Sequence, residues 1–142
     1  MIKVTPFRRW HMQWLQQAGA AADGRFGYGI DVLMELEKQN SWTAVLDGTP
    51  VACGGTMLHW PGRHMAWVYF NPDTRPHMLA LTRAVVHALS KVRGRVEFTV
   101  RADFKQGHRW AKMLGFSVET PLLKQYGPEG EDHVGYVRFI EE

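Results

Sequence analysis

Residues 95–116 read RVEFTVRADFKQGHRWAKMLGF. Val96, Phe98 and Val100 fall on one side of an extended chain and Glu97 and Thr99 on the other, the period-two pattern of a strand from Arg95 to Arg101. A short amphipathic helix follows from about Gln106 to Leu114, and Gly115-Phe116 ends it abruptly, glycine being favoured just past a helix C-terminus.

Upstream, Met78, Leu81, Thr82, Val85, Leu89 and Val92 repeat at helical spacing from Thr74 onward, with Gly94 placed to close that helix. Before it, Trp42 to Leu46 and Pro50 to Leu58 flank Asp47-Gly48, a strong hairpin signal, and Trp60-Pro61-Gly62 turns the chain into a third strand, His64 to Phe70. At the N-terminal end, Ile2 to Thr5 reads as a strand. A helix follows whose aromatic face (Phe7, Trp10, His11, Trp14, Leu15, Ala18) is expected to be buried. Residues 19–29 read as a glycine-rich loop before a second helix, Ile30 to Gln39. Downstream, Phe116 to Val118 and Val134 to Ile140 read as strands around the turn-rich segment Tyr126 to Gly135. The fold class is α/β (α+β): one domain, with a mixed, mostly antiparallel sheet of about six or seven strands flanked by about four helices.

A chain of 142 residues, 45% hydrophobic, has the size of one ordinary domain. Its 17 Lys and Arg are scattered among 14 acids, and the net charge of +3 suits an anionic ligand without demanding nucleic acid. Of the six tryptophans, Trp10 and Trp14 share a helical face and Trp42 and Trp67 sit in strand patterns, which favours core packing over base stacking. The lone Cys53 excludes an intramolecular disulfide and fits a reducing, cytoplasmic setting. Seven histidines show no metal-ligand spacing, so no metal is expected. No apolar run approaches the roughly 20 residues that cross a bilayer, so no membrane partner is expected.

The order strand, two helices, three-strand meander, long helix, strand, short helix, terminal hairpin resembles the GCN5-related N-acetyltransferase (GNAT) superfamily over nearly the whole chain. More narrowly, the run His108 to Phe116, with Tyr126, Gly127, Pro128, Glu129 and Gly130 after it, is similar to small acetyltransferase-like proteins of tailed bacteriophages, including those named internal virion protein A. The resemblance implies transfer of acetyl from acetyl-CoA to an amine of a small molecule or protein. It implies two central strands, His64 to Phe70 and Arg95 to Arg101, that splay apart to admit the pantetheine arm. The thioester carbonyl would then sit near the main chain of Val68, Tyr69 and Phe70, with His108 and Arg109 toward the adenine or 3′-phosphate.

Two positions depart from that pattern. The expected diphosphate turn reads Asn71, Pro72, Asp73, Thr74, Arg75, Pro76, His77, with no glycine and with two prolines that lack N–H donors. Asp73 or Thr74 followed by Pro76 is an ordinary helix start, and the Asp73 carboxylate would compete with phosphate. Arg75 and His77, with Arg83 beyond, are the side chains left to hold a phosphate. The position that carries a proton-donating tyrosine in many active relatives is Ala111, leaving Tyr69, Tyr126 and Tyr136 as substitutes. Candidate bases are Glu97, His59, His64, Glu35 and Glu37, with Glu97 the one placed on the splayed strand. The catalytic set is therefore Tyr69, Glu97 and Tyr126. The acceptor groove would be lined by residues 24–29 and 126–132. The alternative is a non-catalytic protein of the same fold that binds a phage virion or host protein.

Overall fold

The computed structural model describes residues 2–17 and 30–140, and the side chains of all of these except 16, 17, 72 and 73. The glycine-rich loop expected at 19–29, Ala18 and the Asp73 carboxylate lie outside what is described. The elements are β1 (Ile2–Pro6), α1 (Arg9–Gln17), α2 (Ile30–Lys38), β2 (Asn40–Leu46), β3 (Thr49–Trp60), β4 (Arg63–Phe70), a 3-10 turn (Pro72–His77), α3 (Met78–Leu89), β5 (Gly94–Arg101), α4 (Lys105–Met113), β6 (Ser117–Leu123) and β7 (His133–Ile140). The strands form a seven-stranded sheet in the order β1-β2-β3-β4-β5-β7-β6. The pairs β1–β2, β2–β3, β5–β7 and β6–β7 are antiparallel, whereas β4 runs parallel to β5. This is the mixed, mostly antiparallel α/β arrangement that the pattern of elements calls for.

Packing divides the chain into two compact units, Met1–Leu58 with Ala66–Ala84 and His59–Met65 with Val85–Glu142. In the first, Phe7, Met12, Leu15, Leu33, Leu36, Cys53 and Tyr69 form the core, with Met57 and Trp67 packed against it. Each such apolar side chain contributes about 1.5–3 kcal/mol by leaving water. The aromatic face expected of α1 is only partly the buried one. Trp10 and Trp14 stand 52% and 38% exposed, while Met12 and Leu15 are fully buried. His11 fixes that rotation: its Nδ1 accepts the Arg8 N–H at 3.0 Å and the Thr43 hydroxyl at 2.7 Å. The Arg9 N–H, otherwise an orphan at the helix start, is taken by Glu37 Oε2 at 3.0 Å.

Asp47 and Gly48 both have positive φ (50° and 81°), as the two-residue turn between β2 and β3 requires. Gly54-Gly55 answers to close backbone approach: a Cβ on Gly54 would lie 2.8 Å from the Trp67 carbonyl oxygen. The register shift of that hairpin lies elsewhere, between Ala44 and Val45. Helix α3 starts at Met78, later than the apolar spacing suggested, because the segment holding Pro72 and Pro76 winds as a 3-10 turn first. Gly94 does not close α3, which stops at Leu89. It opens β5 instead, at φ 96°, where a Cβ would meet the Gly62 carbonyl oxygen at 2.7 Å.

In the second unit Val96, Phe98 and Val100 share one side of β5, where Val96 and Val100 are buried. Phe98 meets Phe116 edge-on at 4.7 Å and stacks on Tyr136 at 5.8 Å, and Gly107 lets α4 settle on Val100 and Phe104. The α4 exit is a Schellman closure. Phe116 N–H bonds the Ala111 carbonyl and Gly115 N–H that of Lys112, both at 3.0 Å, with Gly115 at φ 91°. Arg138 Nη1 donates to the Leu114 carbonyl at 2.7 Å.

Candidate active site

The parallel ladder between β4 and β5 is short. It pairs Arg63 with Arg95, His64 with Val96 and Met65 with Glu97. Beyond Glu97, β5 continues to Arg101, paired along its other edge with β7 up to Arg101↔His133. The β4 residues of that ladder all belong to the second unit.

No protein-family model matches the chain, and no curated sequence does. Solved structures do. The ribosomal-protein alanine N-acetyltransferase of Escherichia coli superposes with TM-score 0.78 at 18% identity over 100% of this chain and 96% of its own. Arabidopsis thaliana Naa50, in complex with the bisubstrate analogue CoA-Ac-MVNAL, gives 0.75 at 12% over 96% and 97%. A GNAT superfamily phosphinothricin acetyltransferase from Sinorhizobium meliloti, in complex with AcCoA, gives 0.76 at 13% over 99% and 89%. The chain has the GNAT fold.

Around this GNAT framework the candidate residues fall into separate surroundings. Tyr69 is 5% exposed, belongs to the core of the first unit, and its hydroxyl is shifted upward by burial and the neighbouring Cys53. Val68 and Phe70, on either side of it on β4, are half-buried. Glu97 sits between two guanidiniums, Arg63 Nη2 at 2.5 Å on Oε1 and Arg95 Nε at 2.5 Å on Oε2. Those hydrogen bonds, Arg63's first, hold its carboxyl below the usual range and weaken it as a base. Arg95 passes over the Phe139 ring to bond Glu119 as well, so the chain Arg63–Glu97–Arg95–Glu119 straps β4, β5 and β6 together. Tyr126 is 53% exposed in the β6–β7 loop, its ring centroid 5.3 Å from that of His133.

His108 lies on α4 but turns inward. Its Nε2 donates to the Ala102 carbonyl at 3.0 Å, which leaves Nδ1 to accept from the Tyr136 hydroxyl at 2.7 Å. Both nitrogens are thus occupied within the second unit, and burial shifts Tyr136 upward. Arg109 and Arg75 are exposed and His77 half-buried. In the turn before α3 the Thr74 N–H and hydroxyl both go to the Asn71 carbonyl, at 2.9 and 2.7 Å. Thr74 therefore caps backward instead of offering a donor to a ligand. With the two prolines, this leaves that turn poor in N–H groups for a diphosphate. Ala111 is fully buried. Cys53 is fully buried with its thiol pushed far up by desolvation, an inert core residue. Among the described residues no cluster of His, Cys, Asp or Glu is placed to hold a metal ion, and no helix is long and apolar enough to cross a membrane.

One constellation escaped the sequence reading. His133, 7% exposed, places Nδ1 3.0 Å from Thr99 Oγ1 and Nε2 3.3 Å from Glu131 Oε2. The signal available in the sequence was weak: Thr99 as an outward residue of a strand, and Glu131-x-His133 at the start of another.

Proposed function

We propose that this chain is an acyl-CoA-dependent N-acetyltransferase that moves acetyl from acetyl-CoA to an amine. The observation that carries this reading is a fold shared, over 96% and 99% of the chain, with proteins solved with the bisubstrate analogue CoA-Ac-MVNAL and with AcCoA. An extended pantetheine arm has amide donors and acceptors at strand-like spacing, and main-chain groups of β5 from Phe98 to Arg101 are proposed to bind it as they would a strand. The main chain of Val68, Tyr69 and Phe70 is proposed to meet the acetyl carbonyl. Arg75 and His77 are proposed for the diphosphate and Arg109 for the 3′-phosphate side, by side-chain charge.

In the reaction the amine lone pair attacks the thioester carbonyl, the C–N bond forms, the C–S bond breaks with its electron pair leaving on sulfur, and the nitrogen gives up one proton as the thiolate takes one up, which leaves the amide and the CoA thiol. The acceptor proposed is an amine of a small molecule or of a protein. Glu97, committed to two arginines, is assigned no proton transfer. The narrower likeness to phage proteins rests on residues 108–116 and 126–130, and the three relatives above come from bacteria and a plant. A non-catalytic binding role is the second reading, favoured by the donor-poor turn before α3.

Calorimetric titration with acetyl-CoA, followed by acetylation of primary amines and N-terminal peptides, separates the two. Binding is expected at micromolar ligand, weakened about tenfold by Arg75→Ala, the loss of one charge-assisted phosphate contact. No heat at millimolar acetyl-CoA would leave only the binding module.

A further inference from the structure

We propose that Thr99, His133 and Glu131 form a proton relay beside β5 that deprotonates the incoming ammonium. This rests on the acetyltransferase reading. Thr99 is half-buried and lies within the β5 stretch, Phe98 to Arg101, that the proposed function gives to the pantetheine arm. It shares a face with His133: β5 and β7 pair Thr99 with Gly135 and Arg101 with His133. The residue opposite Thr99 is glycine and carries no side chain of its own, the space over it being taken by Thr120, and the imidazole of His133 reaches diagonally to the hydroxyl.

The protons can be placed. Glu131 offers only lone pairs, so His133 Nε2 carries the hydrogen and Nδ1 is an acceptor, which makes the Thr99 hydroxyl the donor to it. The lone pairs of Thr99 Oγ1 are then left to take a proton from outside. Glu131 is held for this task by its own loop. Its Oε1 accepts the Glu129 N–H at 2.9 Å, and its carboxylate lies where a Cβ on Gly127 would be, so glycine at 127 keeps that seat clear. The loop is closed by Gly127 N–H to the Glu131 carbonyl and Gly130 N–H to the Gly127 carbonyl, both 3.0 Å, and pinned by Asp132, which takes the Gln125 N–H and gives its carbonyl to Ala102 N–H. Backbone N–H groups, its own first, and the His133 ring hold the Glu131 carboxyl below its usual range.

The other charged or titratable groups facing the imidazole are few. Tyr126 lies ring to ring at 5.3 Å, and Arg101 lies across the strand pair, its Nη2 on Asp103 at 3.4 Å and its buried Nε without a hydrogen-bond partner among the described residues. In the step itself, an ammonium proton passes to Thr99 Oγ1 as the Thr99 hydrogen passes to His133 Nδ1. The imidazolium is stabilised by Glu131, and the freed amine attacks the thioester. His133 returns its proton to solvent. Thr99 is the catalytic residue; His133 and Glu131 act through it.

The test measures acetyl transfer against pH, with acetyl-CoA binding by calorimetry as the second readout, for the parent, Thr99→Val, Thr99→Ser and His133→Gln. General-base catalysis contributes about 100-fold or more, so kcat should fall about 100-fold in Thr99→Val and recover to within about fivefold of the parent in Thr99→Ser, which keeps the hydroxyl. His133→Gln should lose a similar factor and change the shape of the kcat–pH profile, with acetyl-CoA affinity within about twofold in all variants. If the parent turns over and Thr99→Val does so equally well with an unchanged profile, the relay is refuted while the acetyltransferase reading stands. If the parent neither binds acetyl-CoA nor transfers acetyl, the reading falls and takes the relay with it.

Discussion

The short parallel ladder begins at a contact between two glycines, and substituting one of them tests whether that contact sets the ladder. Gly94 has φ 96°, and its added Cβ would lie 2.7 Å from the Gly62 carbonyl oxygen and 3.0 Å from Gly62 Cα, backbone atoms that cannot swing aside. The same carbonyl accepts the Arg95 N–H at 2.8 Å, the bond that leads into Arg63↔Arg95. Gly48, at φ 81° with nothing within 4 Å of where a Cβ would stand, is the control for backbone strain alone. Gly48→Ala should cost about 1 kcal/mol. Gly94→Ala carries that strain, loses a hydrogen bond worth about 1 kcal/mol and forces backbone apart, about 3 kcal/mol together. The difference of about 2 kcal/mol corresponds to roughly 6 °C in Tm for a chain of this size. Urea unfolding and thermal melts of the two variants beside the parent measure it. Equal losses for both would mean that the Gly62–Gly94 contact does not set the register of β4 on β5.

His11 is buried, and its pKa is lowered by desolvation and then by Arg8. The folded state therefore prefers the neutral ring, so its contribution is full above the unfolded value of about 6.5 and is lost as pH falls below it. The urea midpoint should drop between pH 7 and pH 5 more steeply in the parent than in His11→Asn, which keeps an acceptor but no titration; parallel curves would remove His11 from the α1 start. Cys53, buried with its thiol shifted far upward, should resist alkylation by a maleimide until the chain is unfolded, and rapid labelling of the native protein would contradict its place in the core.

Where a feature depended on neighbours in sequence, the sequence alone was enough. Asp47-Gly48 makes its turn because both residues tolerate positive φ, and Gly115-Phe116 ends α4 through bonds to residues three and five positions back. Where several local solutions competed, it misled. Helix α1 is apolar around much of its circumference, and the periodicity favoured Trp10 and Trp14 for burial; His11, bonded to Thr43 on β2, turned Met12 inward instead. Gly94 carried the chemistry of a helix terminus, but its positive φ serves a contact with a residue 32 positions earlier.

The candidate site divides along the same line. The strand Arg95–Arg101, the short helix after it and the charges of the turn before α3 were legible because period, capping and charge are written residue by residue. That Glu97 is taken up by Arg63 and Arg95, that His108 turns in to Tyr136, and that Thr99 meets His133 all depend on which strands lie side by side. The last strand inserts between β5 and β6, an ordering that long-range pairing selects and no local pattern encodes, and only then do residues 34 apart share a proton path.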